Sequence, residues 1–169
     1  MIVLSNGDLH RFCKPFNADI ESIAFALAHI NRYTGHVGQY SVAQHCVMVS
    51  QQLPEELKLS GLLHDATEAY VGDVSKPLKV LLPEYQKIEQ WYHDQIDQQF
   101  NVTTEHPAIK DADLRMLITE AKAFGLPLDE FPKAEPFNIE FERWTPEQAQ
   151  RIFLTCFNAY CHWQQQRVG

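Results

Sequence analysis

The sequence predicts an all-α fold, a compact helical bundle with a small β-hairpin at its N-terminal edge. Apolar residues recur every three or four positions through most of the chain, which is the spacing of one helix face. Capping residues or proline stand before these segments, and glycine follows several of them. With 169 residues, of which 45% are apolar, the chain is expected to form a single domain over 1–169.

The hairpin is predicted by Asn6-Gly7, which stands between two short runs with apolar residues, 2–5 and 8–12. Both turn residues tolerate the positive φ of a tight hairpin turn. Caps and glycine stops then predict helices at about 19–31, 41–52, 54–70, 83–100, 107–123 and 145–166, with a short turn or helix at 76–81. Residues 125–136 are expected to be a loop, and the apolar–polar alternation of 137–144 predicts a strand.

The net charge of −8 argues against a protein that coats nucleic acid, because that function needs a basic surface. A small anionic substrate stays possible if a few cations gather at one place. No apolar run is long enough to cross a bilayer, and the N-terminus lacks the pattern of a secretion signal, so we expect a cytoplasmic protein. The four cysteines form no C-x-x-C pair and are expected to be free thiols.

The strongest chemical signal is His64-Asp65, which ends an apolar run and is followed one helical turn later by Glu68. Apolar neighbours exclude water and raise the cost of leaving such groups unpaired. Taken alone, the dipeptide is common, and an exposed pair at a helix end is the simpler interpretation. The short loop at 53–54 lets the preceding helix pack antiparallel to this one, which would bring His45 opposite His64.

A third predicted helix adds Asp113, with Lys110 on the same face one turn earlier and Asp111 as the competing acid. Two histidines and two aspartates supply nitrogen and oxygen ligands suited to Zn²⁺, Mn²⁺ or Co²⁺. The candidate ligands are His45, His64, Asp65 and Asp113.

The order His, His-Asp, Asp resembles the HD-domain phosphohydrolases, helical enzymes whose four ligands hold a divalent metal ion. Further motifs resemble the HD-type 5′-deoxynucleotidases, most of all their small bacterial, prophage and phage members, over about residues 17–123. These motifs are Asn31-Arg-Tyr33, Ser41-Val-Ala-Gln-His45, His64-Asp-Ala-Thr-Glu68, Gly72-Asp73, Pro77-Leu-Lys79 and Asp111-Ala-Asp113-Leu.

The resemblance implies one divalent ion, Co²⁺, Mn²⁺, Zn²⁺ or Mg²⁺, on the four candidate ligands. It also implies that Glu68 and Asp73 orient or deprotonate the attacking water. The implied substrate-binding residues are Arg32, Lys79 and Lys110 for phosphate oxygens and Tyr33 for the base or sugar. His36, in the following loop, is a further candidate for phosphate, with an ordinary loop residue as the simpler interpretation. Many members carry Trp where this chain has Tyr33, so the smaller ring is expected to change which base fits. Members usually assemble as dimers or larger rings, so a homo-oligomer is expected, without a membrane or a stably bound nucleic acid.

Three functions are compatible with these residues. The first is a 5′-deoxynucleotidase that releases phosphate from deoxynucleoside monophosphates, and the second is a triphosphohydrolase that releases triphosphate from deoxynucleoside triphosphates such as dATP. The third is a non-catalytic nucleotide-binding module. Glu68 and Asp73 argue against the third, because binding alone needs no proton acceptor. A cyclic-dinucleotide phosphodiesterase lacks support, since the sequence has no additional histidine cluster for a larger metal centre.

Overall fold

The computed structural model describes residues 1–168. Its α-helices are, in chain order, α1 (Ile20–His29), α2 (Val42–Gln51), α3 (Lys58–Leu62), α4 (Glu68–Val71), α5 (Lys76–Lys79), α6 (Pro83–Phe100), α7 (Pro107–Ala123) and α8 (Pro146–Val168). Two short strands, β1 (Ile2–Val3) and β2 (Leu9–His10), precede them. The predicted mostly helical fold with an N-terminal hairpin is therefore confirmed.

The hairpin is antiparallel, with Ile2 opposite His10, and its turn contains Gly7 at a φ of +89°. A side chain with a Cβ would be strained at this φ, which is why the turn needs glycine. His10 anchors the hairpin to the helices, because its buried ring lies with Nε2 2.6 Å from the Tyr92 hydroxyl of α6.

Helix α2 is the central element, and its residues 42–50 are all buried. Its start is capped as predicted, since the Ser41 Oγ accepts a hydrogen bond from the Gln44 N–H at 3.1 Å. One side of α2 joins the main core with α1, α3, α6 and α8, while Met48 and Val49 join a smaller core with α7. His45 lies within this helix and is therefore held at the centre of the molecule.

The single helix predicted over 54–70 is wrong, because the chain breaks into α3 and α4 around a series of turns at 63–67. The Gly61 carbonyl would accept a main-chain hydrogen bond from residue 65 in a continuous helix. Instead it lies 2.7 Å from the Nδ1 of His64. The turns then continue with bonds of three-residue spacing, such as Glu68 N–H to the Asp65 carbonyl at 3.0 Å. The helix is thus interrupted at the His64-Asp65 motif.

The strand predicted over 137–144 is also wrong, since this segment is extended without pairing to another strand in the described part of the chain. Its main chain is bound by a side chain instead. Gln44 of α2 donates to the Glu142 carbonyl at 2.7 Å and accepts from the Trp144 N–H at 2.9 Å. The alternating apolar side chains pack on the smaller core, which explains the pattern without a second strand.

The remaining predicted helices agree with the structure to within two residues at each end. The four cysteines are free thiols, as predicted. Over residues 1–168, no helix is both long enough and apolar enough to cross a membrane.

Candidate metal centre

Three elements bring the candidate ligands together. His45 comes from the middle of α2, His64 and Asp65 come from the break between α3 and α4, and Asp113 comes from the middle of α7. One potential ligand atom from each of His45, His64 and Asp65 lies within 4.8 Å of the others. These three residues could therefore hold a metal ion.

Asp113 lies beside this group. Its Oδ1 is 3.0 Å from the His45 Nε2 and 3.9 Å from the His64 Nε2. Ligands bonded at about 2.1 Å to one ion lie at most about 4.2 Å apart. Both distances are compatible with a shared ion. Among the described residues, however, the group whose ligand atoms all lie within 4.8 Å of one another consists of His45, His64 and Asp65, so Asp113 as the fourth ligand stays a prediction.

Each histidine is oriented through its Nδ1. The Nδ1 of His64 lies 2.7 Å from the Gly61 carbonyl, and the Nδ1 of His45 lies 2.6 Å from Glu120. Both contacts require a proton on Nδ1, so in the neutral imidazole, the form that binds a metal ion, the Nε2 lone pair is free. Among the described residues, neither buried Nε2 has a hydrogen-bond partner, although carboxylate oxygens lie close by. A divalent cation bound between these nitrogens and the carboxylates would supply the partner that each Nε2 lacks.

The site opens to solvent on its carboxylate side. Both histidines are buried, whereas the Asp65 and Asp113 side chains are 23% and 43% exposed. Carboxylates also dominate the charge around the histidines. Burial opposes protonation of His64, but the charges and hydrogen bonds of Asp65 and Cys46 together outweigh burial and raise the pKa of His64 well above its ordinary value. The pocket therefore favours a positive charge at its centre.

Glu120 of α7 is a further charged residue of this site, and it is fully buried. Its Oε1 accepts hydrogen bonds from the His45 Nδ1 at 2.6 Å and the Tyr40 hydroxyl at 2.8 Å. Its Oε2 accepts from the Arg32 Nη2 at 3.1 Å and the Tyr33 hydroxyl at 3.0 Å. Burial would raise the pKa of Glu120, but Arg32 and His45 outweigh burial and lower it, so the carboxylate is ionised.

Sequence reasoning missed Glu120 because a glutamate inside an amphipathic helix has the pattern of an ordinary surface residue. One signal was available. Glu120 follows Asp113 by seven residues, which is two helical turns and the same face of α7. A carboxylate at that spacing from a candidate ligand faces the same neighbouring helix.

Glu68 lies at the start of α4 and is buried, and its Oε2 has no hydrogen-bond partner within 1–168. Burial, followed by the charges of Asp65 and Asp73, raises the pKa of Glu68 well above its ordinary value. Asp73, which is half-buried in the segment after α4, also has a raised pKa, mainly because of burial. The charge of Asp65 therefore acts on both predicted proton acceptors.

Arg32 and Tyr33 form one edge of the site. The Arg32 guanidinium is held on Glu120, and its Nη1 lies 3.9 Å from the Asp65 Oδ2. Tyr33 has a φ of +55° and turns its hydroxyl toward α7, where it reaches Glu120 and the Leu117 carbonyl. The Tyr33 hydroxyl is thus occupied by protein contacts, and its ring packs edge-on against Phe124.

The remaining predicted substrate residues are more dispersed. Lys79 lies at the end of α5 and pairs with Glu89 of α6 at 2.6 Å, and its charge acts on Glu68 and Asp73. Lys110 is 63% exposed and pairs with Glu105 at 3.0 Å. His36 is exposed in the loop before α2. Lys79 therefore acts on the acids of the site through its charge. Within residues 1–168 no hydrogen bond or ion pair joins Lys110 or His36 to the candidate ligands.

Comparison with known proteins gives two relatives. The chain is 37% identical to the uncharacterized protein YfdR of Escherichia coli strain K12 over 161 residues, which cover 88% of this chain and 89% of YfdR. It is 35% identical to an uncharacterized protein of Rhodobacter capsulatus over 78 residues, 40% of each chain. No profile of a known protein family matches the chain.

Proposed function

The chain belongs to the family of Escherichia coli YfdR, and we propose that it is an HD-domain phosphohydrolase that uses a divalent metal ion to hydrolyse 2′-deoxynucleotides. One observation carries the proposal. Two buried histidines from different elements present unpaired Nε2 atoms to Asp65 and Asp113, and a buried glutamate and an arginine lie beside them. A helix-end pair exposed to solvent would need none of this arrangement.

The donor set supports a divalent transition metal. His45, His64, Asp65 and Asp113 would hold the ion through two nitrogens and two oxygens, a mixture that Zn²⁺, Mn²⁺ and Co²⁺ accept and that Mg²⁺ accepts less readily. The Nδ1 contacts of both histidines fix their rings with Nε2 directed to the ion. This outer support is typical of metal sites in proteins.

The surrounding residues match the requirements of phosphate ester hydrolysis. A bound divalent ion supplies charge that polarises a phosphate and lowers the pKa of a water molecule. Glu68 has a buried carboxyl oxygen without a partner, and it would take the proton from the attacking water. Arg32 keeps Nη1 free of the Glu120 contact, and this nitrogen would bind a phosphate oxygen.

Lys79 is the second cation that we assign to the phosphate. Phosphoryl transfer depends mainly on positioning and on neutralising the charge of the phosphoryl oxygens. In the structure Lys79 is paired with Glu89, and its charge acts on Glu68 and Asp73. We assign the deoxynucleoside monophosphates as substrates, by the resemblance of the motifs, and a homo-oligomer as the assembled form.

Product analysis tests this proposal. The purified protein is loaded in turn with Co²⁺, Mn²⁺, Zn²⁺ and Mg²⁺ and supplied with matched deoxynucleoside mono- and triphosphates. We expect free phosphate from the monophosphates and no release by Asp65→Asn, a variant of similar shape that lacks one ligand charge. Tripolyphosphate from the triphosphates would replace the monophosphate assignment with a triphosphohydrolase. If no product forms with any of the four metal ions, the proposal that the protein is an enzyme is overturned.

A further inference from the structure

Glu120 joins two parts of the candidate site that the sequence treats as separate. Its Oε1 faces the metal side, where it contacts His45 and Tyr40, and its Oε2 faces the substrate side, where it contacts Arg32 and Tyr33. The four contacts lie between 2.6 and 3.2 Å. A carboxylate has about four acceptor positions, so this group is close to fully used.

We propose that Glu120 is a positioning residue that couples the metal ligand His45 to the phosphate-binding Arg32, with a separate oxygen for each. The inference rests on the proposed function for the role of Arg32. Its metal half rests only on the geometry of His45.

The metal half follows from histidine chemistry. The Oε1 contact at 2.6 Å holds the His45 proton on Nδ1 and so directs the lone pair of Nε2 toward His64 and Asp65. Without this acceptor the ring could rotate or place its proton on Nε2, and either change would remove a ligand. Outer partners of this kind change metal affinity by about 10–100-fold.

The substrate half follows from the shape of arginine. Both Nε and Nη2 of Arg32 bind Oε2, at 3.2 and 3.1 Å, and this side-on contact fixes the plane of the guanidinium. The Nη1 edge is then held toward Asp65 and the open side of the site. A buried arginine without its carboxylate partner would lose this orientation.

Two variants separate the contact of Glu120 with His45 from its contact with Arg32. In Glu120→Gln the amide oxygen can still accept from His45 and Tyr40, whereas the amide nitrogen would face Arg32 with a donor instead of an acceptor. Glu120→Ala removes both halves. Tyr40→Phe serves as the matched control, because it removes one Oε1 contact and leaves His45 and Arg32 with their acceptors.

The experiment needs no turnover. Co²⁺ is titrated into metal-free protein and followed by its visible absorption, and inorganic phosphate is then titrated into the Co²⁺-loaded protein. We expect Glu120→Gln to keep its Co²⁺ affinity within about 3-fold of the wild type and to bind phosphate about 10-fold or more weakly. Glu120→Ala should lose Co²⁺ affinity by about 10–100-fold, and Tyr40→Phe should stay within about 3-fold in both titrations. Circular dichroism establishes that each variant is folded.

Two results would overturn the proposal. One is equal loss of Co²⁺ and phosphate binding in Glu120→Gln, which would mean a single structural role. The other is unchanged phosphate binding in that variant, or no phosphate binding in the wild type, which would remove the coupling to Arg32. Failure of the proposed function gives a different result. A wild type that binds Co²⁺ and phosphate but hydrolyses no nucleotide would contradict the proposed function and leave the positioning role of Glu120 supported.

Discussion

The candidate site has two walls that differ in how they are built. The inner wall consists of His45, Glu120 and Arg32, which come from α2, α7 and the turn before α2. All of its polar groups except the metal-facing ones are satisfied by short contacts within the protein. The outer wall consists of Glu68, Asp73 and Lys79, which come from short elements and the segment between them.

The outer wall has fewer partners. Within residues 1–168, Glu68 has an unpaired carboxyl oxygen and Asp73 is half-buried, while Lys79 pairs with Glu89 and lies 5.7 Å from the centre of the Tyr85 ring. The difference teaches how the two tasks are divided. Under the proposed function, the well-bonded inner wall fixes the position of the ion, while the outer wall offers groups with fewer protein contacts to a substrate and a water molecule.

The largest effect is expected at the metal ligands. Asp113→Asn keeps the size of the side chain but removes its charge. Loss of a residue that supports a ligand lowers metal affinity by roughly 10–100-fold, so loss of a ligand charge should lower Co²⁺ affinity by more than this. The rate of phosphate release should fall at least as much. Titration and product assay measure both.

Asp111→Asn is the matched control, because Asp111 is an exposed acid two residues away on the same helix. It should change neither quantity more than about 2-fold, as expected of a surface charge. Equal losses in the two variants would show that α7 acts through its overall charge and not through Asp113.

A smaller effect on binding but a large one on turnover is expected for Glu68→Gln. If Glu68 accepts the proton, kcat should fall by about 10²–10⁴-fold while Co²⁺ affinity stays within about 3-fold. Steady-state kinetics and the Co²⁺ titration measure the two quantities. If the variant keeps its kcat, Glu68 is not the proton acceptor. If the variant loses Co²⁺ binding, Glu68 is a metal ligand.

The two predicted phosphate lysines should behave differently. Lys79→Ala should raise KM for the nucleotide about 10-fold, or about 1.4 kcal/mol, because Lys79 lies near the acids of the outer wall. Lys110→Ala should change KM less than about 2-fold, because Lys110 is exposed and paired with Glu105. The reverse order would mean that the substrate enters over the start of α7.

Residues that act through a local motif were predictable from the sequence. The short loop at 53–54 predicted that His45 would lie opposite His64, and the structure brings ligand atoms of His45, His64 and Asp65 within 4.8 Å of one another. Glu120 was not predictable in this way, because its role exists only where α2, α7 and the turn of Arg32 converge. The four contacts that define it join residues 75 to 88 positions apart in the chain.

Two local structures were mispredicted because the apolar pattern of the sequence does not report which partners the main-chain groups bind. Apolar spacing continues across 54–70, but the Gly61 carbonyl turns to His64 instead of the next helical turn. Alternation in 137–144 predicts a strand, but alternation records only which side chains are buried. The partner of the main chain is a side chain of α2, and no sequence pattern indicates it.

That partner, Gln44, gives the last prediction and the smallest effect on the site. Gln44→Ala removes two hydrogen bonds to the segment 137–144 and should lower the free energy of unfolding by about 1–3 kcal/mol. At about 2–4 °C per kcal/mol, thermal denaturation should show a lower Tm. Co²⁺ affinity should stay within about 3-fold although Gln44 is next to His45, because its amide binds the main chain of the segment 137–144 and makes no hydrogen bond to His45, Glu120 or Arg32 among the described residues. Loss of Co²⁺ binding as large as that of Asp113→Asn would contradict the role of the well-bonded inner wall, since the site would then depend on the packing of a distant segment.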